Sequence, residues 1–138
     1  MRIMAIDYGD AHTGIAISDP TGFLAGFTTT IAAYRPEVVA ERVAALAQEH
    51  GVEELVLGHP INMDGTRGPR SEKAQAMKAL LEETASLPVV LWDERRTTID
   101  AHQILFNSGK NAKKRKKTVD AVAASLILEG YLTYRKNH

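Results

Sequence analysis

The stretch Ile3–Asp19, IMAIDYGDAHTGIAISD, decides how the rest of the chain is to be read. An apolar run, Ile3-Met4-Ala5-Ile6, ends on the carboxylate of Asp7, and Gly14 opens a second run, Ile15-Ala16-Ile17. Short apolar runs bounded by Gly and polar residues are strand signals. Their close spacing predicts an antiparallel hairpin with its turn at Gly9 and with Asp7 at the end of a buried strand. A glycine there would let a ligand's phosphate come close to the backbone. Asp7 is then well placed as a metal-binding acid. Alone, an Asp followed two residues later by Gly is also ordinary turn chemistry. A site therefore needs partners from elsewhere in the chain.

Composition narrows where to look. The 138 residues make one domain, residues 1–138, large enough to bury an apolar core without staples. With no cysteine there is no disulfide framework and no thiolate metal site. No apolar run approaches the ~20 residues that span a bilayer, and the start reads as a strand, unlike a signal peptide. The expectation is a soluble, cytoplasmic protein with no membrane partner. Net charge is zero, from 17 basic and 17 acidic residues, but six of the eight residues from Lys110 to Lys117 are basic. Outside that block, 11 basic residues face 17 acidic ones. Such basic blocks are usually solvated, and they often contact polyanions.

Beyond the hairpin, Asp19-Pro20-Thr21-Gly22 reads as a turn and Phe23–Ile31 as a third strand. Pro36 suits the first turn of a helix, and Val39, Val43, Leu46 and Ala47 form its apolar stripe up to His50-Gly51. Val52–Leu57 reads as a strand covered on both faces. A turn-rich loop, Gly58 to Pro69, follows it. Ser71 is the expected N-cap of the next helix, whose Ala74, Met77, Leu80 and Leu81 share a face. Val89-Val90-Leu91-Trp92 is the last strand and ends on Asp93-Glu94. A short helix from Thr97 through Ile104-Leu105, the basic segment, and a final helix from about Thr118 to Tyr134 complete the chain. This order predicts an α/β fold of the ribonuclease H-like layout. Its five-stranded mixed sheet has three antiparallel strands, then parallel ones, with helices on both faces.

Three groups of acids fall at comparable places in that layout. Asp7 ends the first strand, Asp93-Glu94 ends the last, and Asp120 is expected in the first turn of the final helix. Asp120 shares its helix face with Ala123, Ala124 and Ile127, so a charge stands on the apolar side. Complementing the helix dipole would account for an Asp in a first turn, but not for its place on that face. Acids gathered at one sheet edge need a cation between them. Oxygen donors select Mg²⁺ or Mn²⁺, and a pair of such ions ~4 Å apart is a standard device for in-line phosphodiester displacement. The basic segment ahead of Asp120 would then track a nucleic-acid backbone.

With these residues in place, the chain resembles the YqgF/RuvX family, Holliday-junction-resolvase-like proteins of the ribonuclease H-like superfamily. Four stretches carry the resemblance: Asp7-Tyr8-Gly9 with Gly14 to Asp19; Gly58 to Thr66; Asp93 to Thr98; and Asp120 to Ala124 with Ile127-Leu128. The resemblance implies a metal-dependent nuclease that matures the 5′ end of pre-16S ribosomal RNA, or alternatively one that resolves four-way DNA junctions. It places the catalytic acids, which are also the metal ligands, on Asp7, on Asp120 and on the Asp93-Glu94 pair, of which Glu94 is favoured and Asp93 is the alternative. Of the strand-end pair, Glu94 has the longer reach. Where the family usually has a basic pair, this chain has Ala11-His12, a weaker phosphate contact near neutral pH.

Other residues are weighed against simpler roles. Arg95 either contacts the scissile phosphate or neutralises the neighbouring acids. Thr97 and Thr98 suit helix capping. Asp64-Gly65 is most simply a turn, and His59 a structural residue. Lys113, Lys114, Arg115, Lys116 and Lys117 are expected to bind nucleic acid, an rRNA precursor before branched DNA, whether the protein is a monomer or a homodimer. Two rivals differ in class. One is a non-catalytic nucleic-acid-binding factor. The other is a sugar-kinase or actin-like ATPase, which needs two such domains where this chain has room for one.

Overall fold

In the computed structural model, which describes residues 1–22, 25–60, 65, 68–93 and 112–137 (backbone alone for 112–120 and 137), the first strand sits at the centre of everything else. β1 (Arg2–Asp7) is flanked by β2 (His12–Ser18) and β4 (Val52–His59), with β3 (Ala25–Ala32) and β5 (Val89–Asp93) at the edges. The order across the sheet is β3-β2-β1-β4-β5. β1 pairs antiparallel with β2, from Met4 opposite Ile17 to Asp7 opposite Gly14. It pairs parallel with β4, Ile6 beside Leu57, and β4 pairs parallel with β5. This is the mixed sheet expected from the order of elements.

Both sheet faces are covered, and the strands' apolar runs follow from that. Ile3, Met4, Ala5 and Ile6 are all 0% exposed, so neither face of β1 meets water. Met4, Ile6, Ile15, Ile17, Leu55 and Leu57 pack under two helices, α1 (Pro36–His50) and α2 (Pro69–Ala85). Ile3, Ala5, Ala16, Val56 and Trp92 pack on the other side. There they meet Ala124, Ile127, Leu128, Tyr131 and Leu132 of α3 (Ala112–Asn137). Gly130 lets α3 come down onto Trp92, since a Cβ there would stand 3.2 Å from the indole. Tyr131 meets the same indole edge-on at 5.9 Å between centroids. Its hydroxyl donates to Glu54 at the start of β4. Burial and that acceptor push the Tyr131 phenol up to about 12. The group thus favours the fold below its ordinary pKa of ~10, and this contribution is lost as pH rises through 12.

Local chemistry sets the boundaries. α1 starts with Pro36 at its first position and ends on Gly51 in the left-handed region, φ 68°. Arg2 Nη1 donates to the carbonyl of His50 at 2.7 Å, which satisfies the negative end of that helix. β3 is described from Ala25, the expected start at Phe23 lying outside the described residues, and β4 runs two residues past Leu57 to His59.

Two expectations are corrected. Ser71 does not cap α2: the helix opens at Pro69 behind Gly68, and Ser71 lies inside it, fully buried. Its hydroxyl instead meets His59 Nε2 at 2.6 Å, which fastens the end of β4 to α2. Ser71→Ala leaves the buried imidazole nitrogen without this partner and is expected to destabilise the fold by about 1–3 kcal/mol in urea titration. The second correction concerns the last helix. It begins at Ala112, so Lys113–Lys117 lie in its first two turns and Asp120 lies in its third. The expected short helix from Thr97 to Leu105 lies outside the described residues.

Candidate active site

Three parallel strands end along one edge, β1 on Asp7, β4 on His59 and β5 on Asp93. Register sets their heights. Leu57 stands beside Ile6, Gly58 beside Trp92, and His59 beside Asp93, so Asp7 runs out level with Gly58. Strand pleating then decides which side each residue takes. Ile6 packs under α1 and α2, so the next residue, Asp7, stands on the α3 side and is half-buried. Trp92 packs against α3, so Asp93 alternates to the α1/α2 side, alongside His59. The two acids are thus separated by two strand spacings, roughly 10 Å, and lie on opposite faces. The structure does not bring Asp93 to Asp7.

The hairpin after Asp7 is tight for reasons of its own. A Cβ on Gly9 would lie 2.3 Å from the His12 carbonyl oxygen, an approach no side chain survives. The chain needs glycine here to close the turn. His12, two residues before Gly14 on β2, shares the α3 side with Asp7. Its Nδ1 is buried and has no hydrogen-bond partner among the described residues.

The α2 side of the edge is basic. Arg70 and Lys73, in the first turns of α2, line a cleft of about 40 Å³ with Asp7, Gly9, Gly58 and Pro60. Lys73 Nζ lies 3.2 Å from Asp10, with both side chains mostly exposed. Burial pushes the Tyr8 hydroxyl up, opposed in part by Lys73, so it remains a donor at neutral pH. Reading the sequence missed Arg70, Lys73 and Tyr8. The available signal was Arg70 and Lys73 three apart just inside the Pro69 helix start, where cations gather only against the dipole.

Of the residues singled out in sequence, Glu94 and Arg95 lie outside the described residues, as does Lys110. Asp120 and Lys113–Lys117 are placed by the helical backbone of α3. Position 120 precedes Ala124 by one turn on the stripe that continues through Ile127 and Tyr131 to the sheet. Among the described residues no three His, Asp or Glu side chains gather closely enough to hold a metal ion.

Comparison with known proteins gives one family. The family model described as "RuvX: Holliday junction resolvase" matches residues 1–134. A relative from Halothermothrix orenii is 44% identical over 135 residues, covering 98% of this chain and 96% of its own. One from Clostridium botulinum is 45% identical over 132 residues, covering 96% of each. Both carry the provisional name of pre-16S rRNA nuclease. Among solved structures, Thermus thermophilus RuvC in complex with a Holliday junction superposes with a TM-score of 0.62 at 14% identity. The match covers 99% of this chain and 96% of that one, which is a likeness of fold.

Proposed function

The chain belongs to the RuvX family, and from that premise we propose that it is a metal-dependent nuclease that trims the 5′ end of pre-16S ribosomal RNA. The observation that carries the reading is the place of Asp7. It ends the central strand on the same side as α3, whose sheet-facing stripe runs back to position 120. α3 is also long enough. From Tyr131, tied to Glu54 beside Ile3, eleven residues of helix back to Asp120 span roughly 16 Å. Ile3 to Asp7 spans roughly 13 Å of strand.

Asp7, Glu94 and Asp120 would hold the metal. Asp93 takes the other face, and Glu94, with the longer arm of the pair, is the proposed third acid. These donors are all carboxylate oxygens in a chain without cysteine, a set that fits Mg²⁺ or Mn²⁺. When bound, such ions supply the activated water and stabilise the leaving oxygen. The chain's own contribution is to carry Asp7 at the end of β1 and Asp120 on α3, and to present cations to the substrate. Arg70 and Lys73 line the cleft beside Asp7, and Arg95 with Lys113–Lys117 are the further cations proposed to contact the phosphate backbone.

The helical placement of the basic run supports nucleic-acid contact. Cations in the first turns of a helix sit at its positive pole, which is unfavourable until a polyanion offsets it. Replacing Lys113, Lys114, Arg115, Lys116 and Lys117 with Gln is expected to weaken RNA binding and flatten its salt dependence. The slope of log K against log salt should fall by about one for each phosphate that is no longer neutralised. An unchanged slope removes this segment from the interface.

A four-way DNA junction is the second reading, favoured by the description of the matching family. Incubating the protein with Mn²⁺ and either a 5′-extended 16S precursor or a four-way junction decides between them. Cleavage of the junction alone overturns the RNA assignment.

A further inference from the structure

Beside the acid edge, on the α1/α2 side, the structure holds a cavity of about 530 Å³ that the nuclease reading leaves without a role. Its volume falls within the range of sites that enclose small ligands, ~300–1,000 Å³. Two tyrosines line it, over a floor that includes Met77 and Leu80 of α2. Tyr8 is half-buried against the α1/α2 core, directly after Asp7. Tyr34 stands at the approach to α1 with 81% of its surface exposed, a large ring that burial does not explain. Tyr8, Asp10 and Lys73 line both this cavity and the cleft that contains Asp7. The two spaces are therefore neighbours.

We propose that this cavity is a subsite for one unpaired nucleobase of the substrate strand, stacked against Tyr34 and Tyr8, next to the phosphate at the acid edge. The proposal rests on the nuclease reading and specifies what that site recognises. Three features favour a base. Every nucleobase offers a π-face, and exposed aromatic rings beside a cationic track are how proteins hold single strands. Arg70 and Lys73 supply that track between Asp7 and the cavity. The rim carries the polar groups a base edge needs, the Lys73 ammonium as donor and the Asp10 and Glu37 carboxylates as acceptors. A fully paired strand keeps its bases in the duplex, so the subsite selects substrates with an unpaired nucleotide beside the cleaved bond.

The test uses full-length protein carrying Asp7→Asn, so that RNA is bound without being cut. Fluorescence anisotropy measures its affinity for a single-stranded RNA oligonucleotide and for a series with one abasic position moved along the strand. Tyr34→Ala is expected to weaken binding to the intact RNA by about 5- to 100-fold, and Tyr34→Phe to restore it to within about twofold. One abasic position should weaken binding by a similar factor and make it insensitive to Tyr34→Ala. The subsite is overturned if Tyr34→Ala leaves the intact RNA bound as before. It is also overturned if the loss is the same at every abasic position. Cleavage is scored separately in protein that keeps Asp7, with and without Tyr34→Ala. An RNA that is cut normally with Tyr34→Ala sinks the subsite and leaves the nuclease reading standing, whereas an RNA neither bound nor cut sinks both.

Discussion

Asp7→Asn is expected to lower metal-dependent cleavage of the ribosomal RNA precursor by about a thousandfold or more. A metal-held transition state owes several kcal/mol to its ions, and each 1.36 kcal/mol is tenfold in rate. Asp120→Asn should match it. The informative contrast is at the end of β5. Pleating turns Asp93 away from Asp7 toward His59 and α2, so Asp93→Asn should keep the rate within about tenfold, while Glu94→Gln should fall with Asp7→Asn. Single-turnover rates in Mn²⁺, with circular dichroism to confirm folding, make the comparison. A reversed order between Asp93 and Glu94 would falsify the assignment of the third acid. Survival of the in vivo role in the Asp7→Asn, Asp120→Asn double variant would leave a non-catalytic nucleic-acid-binding factor as the better description.

The second large effect falls on stability. Trp92 is 8% exposed and packs on the far half of α3, fitted against Gly130 and edge-on to Tyr131 and Tyr134. Trp92→Ala should cost about 3–5 kcal/mol, against a total of about 5–15 kcal/mol for such a domain. Thermal unfolding should then begin some 10 °C or more lower. Because α3 also carries Asp120, the variant should lose activity below its melting point more steeply than Ser71→Ala, which loosens only the α2 side. A melting curve that matches the native protein would mean that α3 is held mainly elsewhere.

Much of the fold was legible because β1, β2 and β4 state their environment in residue type. Uninterrupted apolar runs such as Ile3–Ile6 and Leu55–Leu57 suit only strands covered on both faces, and the Ala124–Ile127–Leu128 stripe suits only a helix lying on a sheet. The boundaries were harder. Ser71 looked like a cap, yet Pro69 two residues earlier is the stronger start signal and leaves Ser71 to bond His59. The basic run was read as a segment ahead of the last helix, because its charge outweighed the good helix propensity of Lys and Arg. In the candidate site, Asp7 could be read from its strand end. That Asp93 faces away from Asp7 could not, because it depends on where the alternation of β5 starts against β4. The cleft lined by Arg70 and Lys73 was hidden for a similar reason. It exists only because α2 packs next to a strand end more than sixty residues earlier in the chain.

The central place of β1 also sets the timetable on which the protein matures. On one side β1 is zipped to β2, its immediate successor, and on the other to β4, with Ile6 beside Leu57 about fifty residues later. Local pairing closes a short loop and is fast, while the distant pairing must wait for the intervening chain. During synthesis the hairpin that presents Asp7 can form as soon as it leaves the ribosome. Asp120 belongs to α3 and follows Asp7 by more than a hundred residues. Under the proposed assignment, a partly made chain that has not reached α3 carries Asp7 without Asp120 and would not cut RNA.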